Sequence, residues 1–266
     1  MSVIFARPDY DYGSYRDLYD LITLSGFPLV KFGELQPGSD NTYILTVVNG
    51  ENQGGWQNPT ARIILYDLEW RLEGTYPRIP GVSEIWVGDQ WYSDRLQEKG
   101  IDNRYVPLGS NALLAGRTLA SDPYAYFDVA YISYLTHRRE RLLNSLFAHN
   151  VLVSPTHNLW GSERDQVLRA SRAMLHVHQH DNAPTIAPLR WCLAAAYGLP
   201  MISESVGSMG IFDNRYTLYA DYPHLAEFTK LWTRRDSLSR LADYGLALQS
   251  LLCRDYTFRI GIERNL

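Results

Sequence analysis

Three histidines occupy alternate positions in the stretch AMLHVHQHDN at residues 173–182, a spacing that first suggests a metal site. His176, His178 and His180 would share one face of an extended strand. No cysteine or carboxylate at a recognisable zinc spacing accompanies them, so we predict no metal ligand here. His176 is instead predicted to pack inside the strand. His178, at the strand end, is predicted either to be a satisfied structural histidine or to contact a ligand.

Arg190 follows in a segment predicted to form a helix. Thr185 is the expected N-cap, Pro188 is tolerated in the first turn, and Gly198 ends the helix. Unpaired N–H groups and the helix dipole favour an anion at such an N-terminus. An arginine there suits a phosphate or diphosphate. The alternative is an ordinary surface arginine that pairs with a nearby acid.

Glu204 ends the apolar stretch PMISE and is followed by Ser205 and other small residues that permit close approach of a ligand. A carboxylate in this place can accept hydrogen bonds from two ribose hydroxyls. We therefore predict that Glu204 and Ser205 contact the sugar of a nucleotide. The alternative is a solvated glutamate at a strand end.

A second candidate anion site lies earlier, in VAYISYLTHRRERLL. Ser133 falls at the predicted turn from strand to helix, and Arg138 with Arg139 lies in the first helical turn. A hydroxyl and two guanidinium groups beside a helix N-terminus are typical of phosphate binding.

Short apolar strands alternate with helices along the whole chain, which predicts an α/β protein with parallel sheets covered on both faces. Strands are expected at VAYISYL, VLVSP and AMLHV, with PMISE as the last clear strand. A stretch between residues 109 and 128 has little periodicity and is predicted to be a linker. We expect two Rossmann-like domains that face a cleft, at residues 1–118 and 119–266, with ligands at the carboxyl ends of strands.

Composition sets the broad class of the protein. The chain has 266 residues, a formal net charge of −4 and two cysteines. The charge argues against a broad basic nucleic-acid surface, although a local arginine-lined groove could coexist with it. Few cysteines and no leader or membrane-spanning stretch predict a cytoplasmic protein, of a bacterium or of a phage-infected host.

The order of these segments resembles GT-B glycosyltransferases, in particular the bacterial and phage group that is like glycosyltransferase family 1. The resemblance covers most of residues 60–205 and runs from IILYDLEW and EIWVGDQWYSDRLQEKGIDNRYVPLGS to LRWCLAAAYGLPMISE. The sequence departs from that pattern at Leu193, where many members carry a glutamate. The positions of the family's nucleotide-binding residues are occupied by Ser133, Arg138, Arg139, His178, Arg190 and Glu204.

The resemblance implies transfer of a sugar from a nucleoside diphosphate sugar, with a UDP-sugar as the expected donor and no tightly bound cofactor. An acceptor base, if the reaction inverts the anomeric centre, would come from the first domain. Asp67, Glu69 and Asp89 are candidates at predicted strand ends, and His178 is a further catalytic candidate. Each carboxylate has the alternative of a structural or helix-capping role.

Three functions remain open at this point. The acceptor could be a glycan or, in a narrower form of the same activity, a hydroxymethylated base in phage DNA. The third is a catalytically inactive module that binds a nucleotide or glycan, for which Leu193 is the main support. The sequence does not decide the oligomeric state.

Overall fold

Ten strands in the described residues form two separate sheets, and every strand pair in both sheets is parallel. The computed structural model describes residues 2–7, 15–35, 40–47, 61–68, 82–115, 126–154, 159, 161–182 and 184–266. The α/β class with parallel sheets, predicted from the alternation of strands and helices, is confirmed.

The first sheet has six strands in the order β2-β1-β3-β4-β5-β6. Its strands are β1 (Val3–Arg7), β2 (Leu29–Lys31), β3 (Thr42–Val47), β4 (Arg62–Asp67), β5 (Val82–Val87) and β6 (Arg104–Tyr105). Two helices of this half are α1 (Arg16–Leu24) and α2 (Gln90–Glu98).

Successive residues of these strands enter different hydrophobic cores. Phe5 and Ile64 pack in the core that includes α1, whereas Ala6 and Leu65 pack in the core that includes α2. Apolar runs without polar alternation are the expected sequence of strands buried on both faces.

The second sheet has four strands in the order β10-β9-β8-β7. They are β7 (Phe127–Ala130), β8 (Ser171–His176), β9 (Met201–Glu204) and β10 (Thr217–Ala220). The helices are α3 (His137–Ala148), α4 (Gly161–Arg169), α5 (Pro188–Ala196), α6 (Leu225–Thr233), α7 (Leu238–Ser250) and α8 (Phe258–Glu263), and a short π-helix (Leu251–Asp255) follows α7.

Several predicted boundaries in the second half are wrong. The VAYISYL strand already ends at Ala130, and in the described part of VLVSP one isolated bridge from Val153 to Val129 replaces a strand. PMISE is not the last strand, because β10 follows it. Helix α5 has Ala187 rather than Thr185 at its N-cap, because the segment before Pro188 stays extended to reach the first half.

The end of the chain returns to the first half. Phe258 of α8 packs against Phe5 and Phe27, with ring centroids 5.5 and 5.9 Å apart. Gly109 makes this return possible, since a Cβ there would collide with the backbone of residues 256–258. The amide of Phe258 donates to the carbonyl of Ser110 at 3.0 Å. The final helix therefore belongs to the core of the first sheet.

The two halves are in direct contact through buried polar and apolar groups. Asp17 of α1 forms a buried ion pair with Arg164 of α4. Cys192 of α5 lies in the core of the first sheet, and its carbonyl accepts a hydrogen bond of 2.7 Å from the Ser110 hydroxyl. Helix α5 is consequently buried almost all round, from Trp191 to Ala196.

Candidate functional site

The predicted nucleotide-binding residues follow three neighbouring strands of the second sheet. Ser133 lies three residues after β7, His178 lies two residues after β8, and Glu204 ends β9. Because these strands are parallel and adjacent, their carboxyl ends meet at one edge of the sheet. The sequence-predicted residues on these strands are therefore brought together.

Arg138 and Glu204 form a bidentate ion pair at this edge. The Arg138 Nη1 and Nη2 atoms donate to the two Glu204 carboxylate oxygens at 2.8 and 2.5 Å. Both side chains are about nine-tenths buried, with 10% and 8% exposed. Burial opposes the charge of Arg138, but its hydrogen bonds to the Glu204 and Asp181 carboxylates raise its pKa above the ordinary value. Arg138 therefore stays charged.

Further contacts hold Arg138 in one orientation. Its guanidinium lies over the Tyr222 ring, 3.9 Å from the centroid, and also pairs with Asp181. The Tyr222 hydroxyl donates to the Arg138 carbonyl at 2.6 Å. Sequence reasoning missed both partners. Asp181 stands in the same HQHD stretch and could have been considered, whereas Tyr222 follows the strand β10 that was not predicted.

Arg139 is engaged with the backbone. Its Nε and Nη2 atoms donate to the Val177 carbonyl at 3.0 and 2.9 Å, and Nη1 donates to the Tyr134 carbonyl at 2.8 Å. Only 4% of this residue is exposed, and burial lowers the pKa of its guanidinium. Arg139 joins the loop after β7 to the end of β8, so we give it a structural part in the site.

Arg190 is oriented by a histidine. Its Nη1 atom lies 2.9 Å from His176 Nδ1, and the His176 Nε2 atom lies 3.2 Å from the Thr185 carbonyl. A carbonyl only accepts, so Nε2 carries the proton and Nδ1 is free to accept from Arg190. Burial, followed by the charge of Arg190, lowers the pKa of His176 and keeps this tautomer neutral.

His178 is also enclosed, with 4% exposed, rather than open to a cleft. Its Nε2 atom lies 2.7 Å from the Ser205 carbonyl, and its amide donates to Glu204 Oε2 at 3.0 Å. Its Nδ1 atom is buried and has no hydrogen-bond partner among the described residues. Burial lowers the pKa of the ring, so Nδ1 is a neutral acceptor. Ser133 is buried nearby in the loop after β7.

Asp67 and Asp89, two of the three carboxylates predicted as bases, lie at the carboxyl edge of the first sheet. Asp67 ends β4 and is fully buried. Asp89 follows β5 and caps α2, since its Oδ1 atom accepts a hydrogen bond from the Tyr92 amide at 2.7 Å. This is the helix-capping alternative given for it in the sequence analysis. Its Oδ2 accepts from the Ile186 amide of the second half at 2.8 Å. Glu69 lies outside the described residues.

Burial decides the protonation of Asp89. The residue is 1% exposed, and desolvation raises the pKa of its carboxyl to about 7 although the Tyr92 and Ile186 amides oppose this. A pKa near neutrality is suited to acid–base chemistry. Both carboxyl oxygens of Asp89 already accept hydrogen bonds from amides, however, one from each half of the protein. The geometry therefore supports a structural role in which Asp89 links the two halves.

Two further findings concern the described residues as a whole. They contain no group of three or more His, Cys, Asp and Glu side chains placed to hold a metal ion. None of the helices described combines the length and hydropathy that a membrane span requires.

Comparison with known proteins identifies the fold. No family model matches the chain. The mimivirus protein L140, from the virus of Acanthamoeba polyphaga, is 28% identical over 91 residues, which are 34% of this chain and 30% of that protein. Its description assigns no function, and the match spans under a third of its length.

Solved structures match over nearly the whole chain. AviGT4, a glycosyltransferase of avilamycin A biosynthesis, superimposes with a TM-score of 0.66 at 13% identity and covers 100% of this chain and 96% of its own. A DNA-modifying β-glucosyltransferase gives 0.60 at 12% identity, with 99% of each chain covered. TarM gives 0.58 at 8% identity, and this chain spans only 56% of its length. The protein therefore has the GT-B glycosyltransferase fold that its sequence predicted.

Proposed function

We propose that the protein transfers a sugar from a nucleoside diphosphate sugar to an acceptor hydroxyl. The observation that carries this proposal is the position of Arg190, whose guanidinium is held by His176 at the first turn of α5. That turn has no side-chain cap, and although Pro188 has no N–H and the Arg190 amide donates to the Ala187 carbonyl at 2.8 Å, the positive end of the helix dipole lies beside this guanidinium and favours an anion. It also lies where the second half meets Asp89 of the first half.

The diphosphate, the ribose and the transferred sugar each have a proposed partner at this edge. The diphosphate is assigned to Arg190 and the first turn of α5, where positive charge stabilises the leaving group. The ribose is assigned to Glu204, because a carboxylate can accept about four hydrogen bonds and this one, oriented by Arg138, accepts three from Arg138 and the His178 amide. The Nδ1 atom of His178 can also accept a hydrogen bond from a hydroxyl group of the sugar nucleotide.

The donor base is proposed from a structural neighbour. A T4 phage β-glucosyltransferase with the same fold has been solved in complex with its substrate UDP-glucose, at 11% identity to this chain. We therefore propose a UDP-sugar as the donor. Asp67 and Glu69 stay predictions for the acceptor base, whereas Asp89 is assigned to joining the two halves.

A panel of isotopically labelled sugar nucleotides tests this function directly. We expect one sugar nucleotide of the panel, a UDP-sugar, to bind. Without an acceptor it should be hydrolysed slowly, with release of the nucleoside diphosphate. If nucleotides stabilise the protein against unfolding but no sugar nucleotide of the panel is hydrolysed or used for transfer, the proposed enzymatic activity is contradicted and a nucleotide-binding module is favoured. Leu193 does not decide this, since it is buried with 3% exposed in the packing of α5, where a glutamate would be desolvated.

A hydroxymethylated base in DNA is a second candidate acceptor. It is favoured by the similarity to a DNA-modifying β-glucosyltransferase over 99% of both chains. The net charge of −4 gives no general support for DNA binding. Mass spectrometry of nucleosides from DNA of the source tests it: sugar-bearing nucleosides are expected, and only unmodified nucleosides would remove this candidate while leaving a glycan acceptor.

A further inference from the structure

The segment before α5, residues 184–187, supports Arg190 through a histidine. Its Thr185 carbonyl lies 3.2 Å from His176 Nε2, and the Nδ1 atom of the same ring lies 2.9 Å from Arg190 Nη1. Thr185 is 1% exposed, so this support is closed off from solvent. A displacement of the segment would therefore move the guanidinium that is assigned to the diphosphate.

The loop after β9 supports the other side of the proposed donor site. Its Ser205 carbonyl lies 2.7 Å from His178 Nε2, and the His178 amide donates to Glu204 at 3.0 Å. Two residues further on, the Gly207 amide donates to the Pro184 carbonyl at 2.8 Å. This bond, called the junction below, joins the loop after β9 to the segment before α5.

A tryptophan of the first half covers the junction. Trp91 is the second residue of α2 and is half-buried. Its indole fits there because residue 207 is a glycine: a Cβ on Gly207 would lie 2.6 Å from the indole Nε1 atom, and closer still to Cδ1. Non-bonded atoms in favourable contact are about 3.5–4.0 Å apart. The indole therefore lies directly against the backbone of the loop.

Two hydrogen bonds fix Trp91 relative to the junction. Asp89, which caps α2, accepts from the Ile186 amide of the segment before α5 at 2.8 Å. The Tyr105 hydroxyl accepts from the Ile211 amide of the loop after β9 at 3.3 Å. The first half thus binds both backbone pieces on either side of the indole, and the indole cannot withdraw without breaking these contacts.

We propose that Trp91 is a positioning residue of the donor site. By its contact with Gly207 it sets where the loop and the segment lie, and through them it sets the orientation of Glu204 and Arg190. The first half in this way contributes to donor affinity through a side chain that does not touch the donor. That the positioned groups bind a nucleotide rests on the proposed function, whereas the positioning itself does not.

Gly207→Ala tests the proposal, with UDP as the probe in isothermal titration calorimetry. The added methyl group cannot share the space of the indole, so the loop must move, and the UDP dissociation constant should rise at least about tenfold. Trp91→Ala removes the support and should raise the constant about threefold. In the Trp91→Ala background, Gly207→Ala should add almost nothing, because the indole that the methyl group would meet is gone.

Two histidine protons report the same positions without any nucleotide. A carbonyl only accepts, so His178 and His176 each carry a proton on Nε2 that is bound to the loop and to the segment, respectively. Their proton NMR signals are assigned by their loss in His178→Gln and His176→Phe. Without UDP, Gly207→Ala should shift both signals. Trp91→Ala should shift them too, and it carries the test if Gly207→Ala folds poorly.

Gly100→Ala is the matched control, because Gly100 follows the far end of α2 and an added Cβ would meet no atom of the described residues within 4 Å. Its φ of +73° strains an alanine, so this variant should lose stability and yet keep the UDP constant and both proton signals of the wild type.

Two results would overturn the inference. One is that both proton signals stay in place in Gly207→Ala and in Trp91→Ala. The other is that Gly207→Ala weakens UDP equally with and without the indole. Failure of UDP to bind the wild type would count against the proposed donor site, whereas the proton signals would still decide the positioning.

Discussion

The carboxyl edges of the two sheets hold their buried charges by different means. At the edge of the second sheet, side chains hold one another: Glu204 orients Arg138, and His176 orients Arg190. At the edge of the first sheet, Asp89 is held by two backbone amides. The ion pair keeps Arg138 charged despite burial, whereas burial outweighs the amides and brings the pKa of Asp89 to about 7.

This difference separates a site with permanent charge from a contact that titrates near neutrality. An anionic donor requires guanidinium groups that stay charged and oriented before it arrives. A carboxyl group that links two halves of a protein needs only oxygen atoms that accept hydrogen bonds, and it does not have to stay charged. Four variants test this contrast, in order of decreasing effect.

Asp89→Asn removes the titrating group at the contact. The folded-state pKa of about 7 lies above the ordinary value of 3.8, so the stability that this carboxyl contributes is full below about pH 4 and is lost as the pH rises through 7. A shift of about three pKa units corresponds to about 4 kcal/mol. Urea unfolding between about pH 4 and 8 should therefore show that the wild type loses stability relative to Asp89→Asn.

The difference between the two pH profiles is the informative quantity. Burial lowers the pKa of His176, so both proteins lose stability as the pH falls below the ordinary histidine value of 6.5. This loss cancels in the difference. Parallel profiles for wild type and variant would show that the two amides keep the Asp89 carboxyl ionised.

Glu204→Gln breaks the ion pair while it preserves shape. Arg138 would keep Asp181 and the His178 carbonyl as partners, but its buried charge would lose a bidentate carboxylate. We expect the free energy of unfolding to fall by about 3 kcal/mol, measured by urea unfolding at neutral pH. Glu227→Gln, at an exposed position of α6, is the control and should change little. Equal stability of both variants would mean that the pair is weakly coupled to the fold.

The sequence predicts which residues lie at the carboxyl edge of the second sheet better than it predicts which of their side chains pair with one another. Apolar runs and helix-ending glycines indicate which residues follow each parallel strand, and Arg138, Arg190 and Glu204 were predicted in this way. The partner of each arginine depends on strand order and on side-chain reach. The pairing of Arg138 with Glu204, 66 residues apart, requires β9 and β8 to be neighbours, which no local pattern states.

Short or exposed elements were the least predictable. Strand β10 has four residues and was missed, whereas VLVSP has the composition of a strand but makes a single bridge in its described part. Threonine is a good N-cap, so the sequence predicts that α5 starts at Thr185. In the structure the Thr185 carbonyl instead accepts from His176, and the next amide reaches Asp89. Tertiary contacts of this kind override local preference.

Arg190→Ala should weaken the donor more than it weakens the fold. Loss of a guanidinium from a diphosphate is expected to raise the dissociation constant of the sugar nucleotide about thirtyfold, or about 2 kcal/mol. Isothermal titration calorimetry with UDP measures it. Arg254→Ala is the control, since Arg254 is exposed and pairs only locally with Asp255 among the contacts described. Equal UDP affinity in both variants would show that the diphosphate has been placed wrongly.

His176→Phe tests whether the histidine acts through Arg190. The sequence suggests that His176 mainly packs, and phenylalanine retains an aromatic ring beside Trp191, whose centroid is 5.0 Å away. It removes the Nδ1 acceptor 2.9 Å from Arg190. We expect the UDP dissociation constant to rise about fivefold, near 1 kcal/mol, with a smaller change in stability than Glu204→Gln causes.

The double variant separates positioning from packing. If His176 acts by orienting the guanidinium, then His176→Phe should add almost nothing to the loss already caused by Arg190→Ala, because the group that it orients is gone. If the two losses instead add fully, His176 affects the nucleotide by another route, such as the packing of α5. The double-mutant cycle in UDP affinity therefore decides whether permanent charge at this edge depends on a neutral histidine to aim it.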